Sequence, residues 1–102
     1  MKSFSESNFD QEVLKCSSTC LVDFWAAWCG PCNTLMPVLE KFVEKNPGIR
    51  VGRVNVEENQ DLATQYSIIA VPTLIFFKKG QPIKRLVGLQ TEETLQQAVE
   101  SL

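Results

Sequence analysis

The segment CLVDFW (residues 20–25), followed three residues later by CGPC (residues 29–32), decides the fold. The first segment is a nearly continuous apolar run, which is typical of a strand buried on both faces of a sheet. The second predicts a tight turn, after which the apolar residues Leu35, Leu39 and Phe42 recur at helical spacing. The sequence therefore predicts a strand, a turn and a helix, with two cysteines at the start of the helix.

The same kinds of pattern extend outward from this unit. They predict three further helices: a short one between Asn8 and Cys16, a short one capped by Asn59, and a final one from Thr91. They also predict a buried strand over 49–56 and an apolar strand over 74–77 with its hairpin partner over 83–87. Strands that alternate with helices predict an α/β fold with a largely parallel sheet and helices on both faces. No repeat or linker interrupts the chain, so we expect a single domain over residues 1–102.

Composition limits the chemistry, because histidine is absent and cysteine occurs four times. Without histidine, a Ser–His–Asp triad, a Cys–His nucleophile pair and a histidine-containing metal site are excluded. The net charge of −2 and the lack of a basic stripe argue against nucleic acid as a partner. Residues 1–6 lack the apolar stretch of a signal peptide, and no apolar run is long enough to cross a membrane. We therefore expect a cytoplasmic protein with reduced thiols and no membrane association.

Cys29 and Cys32 are spaced for redox chemistry. Two thiols three positions apart on a helical turn are close enough to form a disulfide. Unpaired N–H groups at a helix N-terminus favour a thiolate at Cys29, and Gly30 and Pro31 add no bulk over its sulfur. Cys32 lies one turn deeper, where we expect it to be more buried. We therefore assign Cys29 as the nucleophile and Cys32 as the resolving thiol, with a structural disulfide or half of a metal site as the alternative.

Cys32 needs a proton acceptor when it attacks, and Asp23 is the candidate. It is the one polar residue in the buried segment 20–25. Burial raises the pKa of a carboxyl group toward neutral pH, where the group can act as a general base. The alternative is an aspartate that is hydrogen-bonded for structure only.

The segment VDFWAAWCGPC (residues 22–32) closely resembles the active-site segment of thioredoxins. Pro37, the segment 71–73, Gly80 and Gly88 also fall where thioredoxins have them, so the resemblance covers essentially the whole chain. It implies a thioredoxin fold, in which a five-stranded mixed sheet, mostly parallel with an antiparallel C-terminal hairpin, is flanked by four helices. It also implies a monomeric protein-disulfide reductase without bound cofactor or metal, recharged with electrons from NADPH by a flavoprotein thioredoxin reductase.

The same resemblance implies partners and a partner-binding surface. The partners are disulfide-containing proteins of the ribonucleotide reductase, peroxiredoxin and methionine sulfoxide reductase type. The surface is formed by Trp28, Val71, Pro72 and Gly88, and Trp25 is the structural tryptophan. The resemblance also implies a cis peptide bond before Pro72, whereas the residues alone favour an ordinary trans proline that precedes a strand.

Three residues depart from the family pattern. Asn33 stands where a lysine commonly follows the second cysteine, which removes a positive charge near the site. Arg53 stands where a lysine usually lies near the buried acid, and it either holds Asp23 ionised and so tunes it, or extends to solvent. Ile69 occupies an often polar position beside the Pro72 loop, where it either extends an apolar partner surface or packs inside.

Cys16 and Cys20 lie outside the thioredoxin pattern. The simplest interpretation is that they are two small core residues without a function of their own. The alternatives are a regulatory disulfide between them, glutathionylation, and a cysteine-only zinc site shared with the 29–32 pair. The spacer over 21–28 is apolar and strand-like, which argues against the zinc site. Two other functions stay open at this point: an oxidising or isomerising folding catalyst of the same fold, and a scaffold subunit without catalysis.

Overall fold

Five strands and four helices form the chain in the computed structural model, which describes residues 1–102. The strands are β1 (Lys2–Ser3), β2 (Cys20–Trp25), β3 (Arg50–Asn55), β4 (Thr73–Lys78) and β5 (Gln81–Val87). The helices are a short N-terminal helix of the wide π type (Asp10–Leu14), α1 (Gly30–Lys45), α2 (Gln60–Gln65) and α3 (Glu92–Glu100). None of the helices has the length and apolar character that a membrane span requires.

The sheet has the strand order β1–β3–β2–β4–β5. Strands β1 and β2 run parallel to β3, whereas β4 runs antiparallel to both β2 and β5. The predicted α/β architecture, with a five-stranded mixed sheet and four helices, is confirmed. The expectation of a mostly parallel sheet is corrected, because only two of the four strand pairs are parallel.

Helix length explains the direction of β4. Helix α1 has 16 residues and rises about 24 Å, which returns the chain along a strand of about 20 Å, so β3 runs parallel to β2. Helix α2 has only 6 residues and rises about 9 Å. This helix alone does not carry the chain back to the far end of the sheet, and the rest of the connection does not return it either. The chain therefore enters β4 from the end at which β3 stops, and β4 runs antiparallel to its neighbours.

Apolar side chains fill both faces of the sheet. On one face, Val22 of β2 belongs to a cluster with Val13 of the N-terminal helix. On the other face, Leu21 belongs to a cluster with Leu39 of α1 and with residues of α3. Since side chains alternate along a strand, Asp23 shares the face of Leu21. The buried carboxyl group is therefore on the side of the sheet that carries α1.

Strand β1 is the element that the sequence patterns missed. It has 2 residues, both exposed, so no periodicity marks it. Its position is set by the next residue, Phe4, whose amide donates to the Arg53 carbonyl over 2.8 Å and whose ring is buried. The ring lies directly against Gly52, and a Cβ atom at that position would overlap it. Glycine in β3 is what allows the N-terminal segment to pack there.

Asn59 is the N-cap residue of α2 as predicted, but its side chain makes no capping hydrogen bond. Its side-chain oxygen accepts from the Glu6 amide over 2.9 Å, and its side-chain nitrogen donates to the Asn55 carbonyl over 3.0 Å. The N-terminal segment supplies the cap instead, because the Glu6 carboxylate accepts from the Asp61 amide over 2.9 Å. Helix α3 begins after Thr91, close to the predicted start, and the Thr91 hydroxyl group accepts a hydrogen bond from the Thr94 amide. The side chain of Asn59 is thus used to hold the N-terminal segment in place.

Candidate active site

The redox pair lies where β2 is followed by α1. Cys29 and Cys32 form a disulfide, with their Cα atoms 5.3 Å apart. Cys29 is the N-cap residue of α1, and its sulfur accepts a hydrogen bond from the Cys32 amide over 3.1 Å. Pro31 stands in the first turn, where its missing N–H costs no helical hydrogen bond. When the disulfide is reduced, the same amide and the helix N-terminus stabilise a negative charge on the Cys29 sulfur.

Cys32 is the more buried cysteine of the pair, as predicted, but Cys29 is also more covered than the sequence suggests. Cys32 is fully buried and Cys29 is 3% exposed, although Gly30 and Pro31 between them are exposed. The cover over Cys29 comes from across the fold, because its cluster packs against Val71 in the loop before β4. Only a narrow edge of the pair therefore faces solvent.

Asp23, in β2, is fully buried. Parallel pairing in register places it opposite Arg53, whose Nε donates to the Asp23 Oδ2 over 3.0 Å. The Arg53 guanidinium also stacks over the half-buried Trp25 ring, 4.2 Å from its centroid, and the Arg53 side chain is only 17% exposed. Of the two interpretations of Arg53, the geometry supports contact with Asp23.

The environment of Asp23 shifts its acidity. Burial raises the pKa of Asp23 to about 6, an effect that the hydrogen bond and the charge of Arg53 offset in part. Near neutral pH, this carboxyl group therefore exchanges a proton more readily than an ordinary aspartate does. Asp23 Oδ1 is buried and makes no hydrogen bond within the chain, so it is the oxygen that remains able to accept a proton.

The loop before β4 borders the disulfide. Its Val71–Pro72 peptide bond is cis, as the resemblance implied and unlike the trans form that the residues alone favoured. The Val71 carbonyl oxygen lies 3.7 Å from the Cys29 sulfur, and the Val71 N–H has no hydrogen-bond partner in the chain. The Pro72 carbonyl accepts from the Gly88 amide over 2.8 Å, and Gly88 has a φ of +91° that favours glycine. Trp28 is 70% exposed beside this loop, whereas Pro72 itself is buried.

Comparison with known proteins agrees with this geometry. The family model Thioredoxin matches residues 1–101. The chain belongs to the thioredoxin family. It is 45% identical to the thioredoxin of Alicyclobacillus acidocaldarius over 93 residues, which cover 90% of this chain and 88% of that protein. It is 44% identical to thioredoxin 1 of Nostoc sp. over 97 residues, with 94% and 91% covered, and 42% identical to the thioredoxin of Chlamydia pneumoniae over 95 residues, with 93% and 91% covered.

Membership of the thioredoxin family indicates which reaction the disulfide takes part in. Thioredoxins are thiol–disulfide oxidoreductases, and this chain has their cysteine pair at the N-terminus of a helix. It is therefore a disulfide oxidoreductase of the protein-disulfide reductase type. The intact pair also argues against a role as a scaffold alone.

The resemblance to thioredoxins predicted only some of the residues on one side of the site. Ile69 is 98% exposed, so it does not pack inside the molecule. With Trp28 and Val71 it lines a shallow cavity, which three further apolar side chains complete: Val56, Ile68 and Ala70. Sequence reasoning missed these three. The signal that was available for Ile68 and Ala70 is the apolar run over 68–71, which lies in a loop rather than in a helix or strand.

Cys16 and Cys20 are free thiols at the opposite end of β2 from the redox pair. A strand of 6 residues spans about 20 Å, which excludes a zinc site shared by the four cysteines. Burial raises the pKa of Cys20 to about 12, so this thiol is unreactive near neutral pH. Burial also acts on Cys16, but hydrogen bonds from Ser18 and the charge of Arg50 outweigh it and lower the Cys16 pKa.

Proposed function

We propose that the chain reduces disulfides in partner proteins and is itself reduced by an NADPH-dependent flavoprotein thioredoxin reductase. The observation that carries this proposal is the hydrogen bond of 3.1 Å from the Cys32 amide to the Cys29 sulfur, which prepares Cys29 to act as a thiolate. Gly30 and Pro31 add no charge and no histidine to this stabilisation. Further stabilisation of the thiolate makes a cysteine pair more oxidising. The absence of a charged residue and of a histidine between the two cysteines therefore favours a reductase over an oxidising catalyst.

The cycle transfers two electrons in two exchange steps. First, the Cys29 thiolate forms a bond to one sulfur of the partner disulfide; the partner S–S bond breaks, and its second sulfur leaves as a thiolate that takes a proton from water. Next, Cys32 loses its proton and attacks the Cys29 sulfur, and the partner's remaining sulfur leaves as a thiolate. The partner is then reduced, and the chain ends as the Cys29–Cys32 disulfide.

Asp23 is the proposed acceptor of the Cys32 proton in the second step. It is buried on the face of β2 that carries α1, its pKa is raised to about 6 by burial, and its Oδ1 is unpaired. Arg53 holds the other carboxylate oxygen, so it positions the group and limits the rise of the pKa.

Trp28, Val71, Pro72 and Gly88 are the proposed partner-binding residues. The free N–H of Val71 and its carbonyl beside Cys29 can pair with an extended segment of a partner. The hydrogen bond from Gly88 to Pro72 holds this loop in position, and Trp28 supplies exposed apolar area next to the attacking sulfur. The buried Pro72 acts by shaping the loop rather than by direct contact area.

The proposed partners are proteins that carry an accessible disulfide. Ribonucleotide reductase, peroxiredoxin and methionine sulfoxide reductase are the types that the family resemblance suggests. The proposal includes a monomeric electron carrier in the cytoplasm that contributes to cell redox homeostasis, since that compartment keeps protein thiols reduced.

We expect electrons to flow from NADPH through a thioredoxin reductase and this chain to insulin, so that NADPH absorbance falls only when all components are present. A parallel assay replaces the reductase with dithiothreitol and follows insulin precipitation. If the chain accelerates insulin precipitation with dithiothreitol but no NADPH is consumed, the chain is a disulfide reductase, and the proposed electron transfer from the flavoprotein is wrong. No acceleration in either assay would contradict the proposed function.

A further inference from the structure

An apolar cavity beside the disulfide shares Trp28 and Val71 with the proposed partner-binding surface and extends beyond it. It has a volume of about 150 Å³, and all six side chains that line it are apolar: Trp28, Val56, Ile68, Ile69, Ala70 and Val71. Val71 packs against the cluster that contains Cys29, and Trp28 directly precedes Cys29 in the chain. The cavity is therefore continuous with the redox site.

Ile69 is the most exposed of the large apolar side chains, at 98%, and Trp28 follows at 70%. A single exposed isoleucine needs no explanation, because such residues are common on protein surfaces. Here, however, two strongly exposed apolar side chains flank a cavity that is itself wholly apolar, and such an arrangement marks an interaction site.

Charge around the cavity limits what can bind there. No charged side chain lines it, and the exposed residues Glu57 and Glu58 follow directly on Val56. Asn33, beside Cys32, is exposed and uncharged. An acidic side chain of a partner would lose hydration here without meeting a positive charge in the lining, whereas an apolar side chain would be removed from water at little cost.

We propose that Ile69 determines specificity, by holding with Trp28 an aliphatic or aromatic side chain that lies next to the cysteine attacked by Cys29. The inference rests on the proposed function, since a bond between Cys29 and a partner sulfur forms only when a partner segment lies against this face. An apolar cavity of about 150 Å³ is large enough to hold a benzene molecule. One leucine or phenylalanine side chain therefore fits the space.

Peptides with a single cysteine in a mixed disulfide with 2-nitro-5-thiobenzoate test this directly, because attack by the reduced chain releases the coloured thiol. Leucine, serine or aspartate is placed in turn at each position next to the cysteine. We expect the wild-type chain to react about tenfold faster with the best leucine peptide than with its serine counterpart, and more slowly still with aspartate. In the Ile69→Ser variant, the preference for leucine should fall to about threefold.

Ile83→Ser is the matched control, because Ile83 is also exposed, at 42%, but lies on the edge strand β5 near the opposite end of the sheet from the redox pair. It should keep the wild-type preference. An unchanged leucine preference in Ile69→Ser, or none in the wild-type chain, would overturn the inference. Reduction of the free disulfide of 2-nitro-5-thiobenzoate separates the two proposals, since a wild-type chain that cannot reduce it contradicts the proposed function rather than the role of Ile69.

Discussion

Replacing Cys29 with serine is expected to lower the rate of insulin reduction to that of dithiothreitol alone. The hydrogen bond from the Cys32 amide and the N-terminus of α1 stabilise a thiolate on Cys29. A serine hydroxyl group stays protonated at neutral pH, and its oxygen does not exchange with a disulfide. The rate is followed as the turbidity of the released insulin B chain.

Cys16→Ala is the matched control for this loss. Cys16 is a free thiol that is 9% exposed and lies before β2, at the opposite end of that strand from Cys29. This variant should reduce insulin at the wild-type rate. Activity retained by Cys29→Ser, or lost in Cys16→Ala, would show that the nucleophile has been assigned to the wrong cysteine.

Asp23→Asn is expected to remove a pH dependence of about 3 kcal/mol from the free energy of unfolding. The pKa of Asp23 is about 6 in the folded chain, compared with 3.8 for an unburied carboxyl group. Between these values the folded chain holds a proton that the unfolded chain has released, so stability falls as pH rises. The contribution is fully present below about pH 4 and is lost as pH rises through about 6.

The asparagine variant isolates this effect, because its amide does not titrate while its oxygen can still accept from the Arg53 Nε. Urea unfolding of the disulfide form of both chains, at a series of pH values, measures it without interference from the redox thiols. The wild-type chain should be less stable relative to the variant at about pH 8 than at about pH 4. A difference that does not change with pH would mean that Asp23 has an ordinary pKa.

The same substitution should also slow the attack of Cys32 on the mixed disulfide by about 10²-fold near neutral pH, because the proton acceptor is lost. The deficit should shrink at higher pH, where the Cys32 thiol ionises without help. Rapid mixing with a labelled partner disulfide measures the release step. An equal release rate in both chains across the pH range would leave Asp23 with a structural role only.

Elements with strong local signals were predictable from the sequence. Strand β2 occupies residues 20–25 as expected, and Thr91 begins α3. The direction of β4 was not predictable from periodicity, since it depends on how far the 6 residues of α2 can carry the chain. Strand β1 was not predicted, because its 2 exposed residues show no periodicity. The contact between Phe4 and Gly52, which are far apart in the chain, holds it in place.

The features of the site also divide into those that the sequence predicts and those that depend on tertiary structure. The spacing of Cys29 and Cys32 predicted that they can form a disulfide, and the apolar strand around Asp23 predicted that it is buried; both are confirmed. The hydrogen bond from Arg53 to Asp23 joins residues 30 positions apart, and it depends on the register of β2 against β3. The cavity under Ile69 depends on where the loop before β4 passes Trp28. Such distances are tertiary, and neither composition nor periodicity contains them.

Accumulation of a mixed disulfide on the Cys32→Ser variant is the most direct test of the assigned roles. Without the resolving thiol, the bond between Cys29 and the partner sulfur cannot be displaced from within the chain. Incubation of the reduced variant with a disulfide-containing protein, followed by peptide mapping without reduction, should show a stable adduct on Cys29 that the wild-type chain does not accumulate. No adduct, or an adduct on Cys16 or Cys20 instead, would contradict the assignment of Cys29 as nucleophile and Cys32 as resolving thiol.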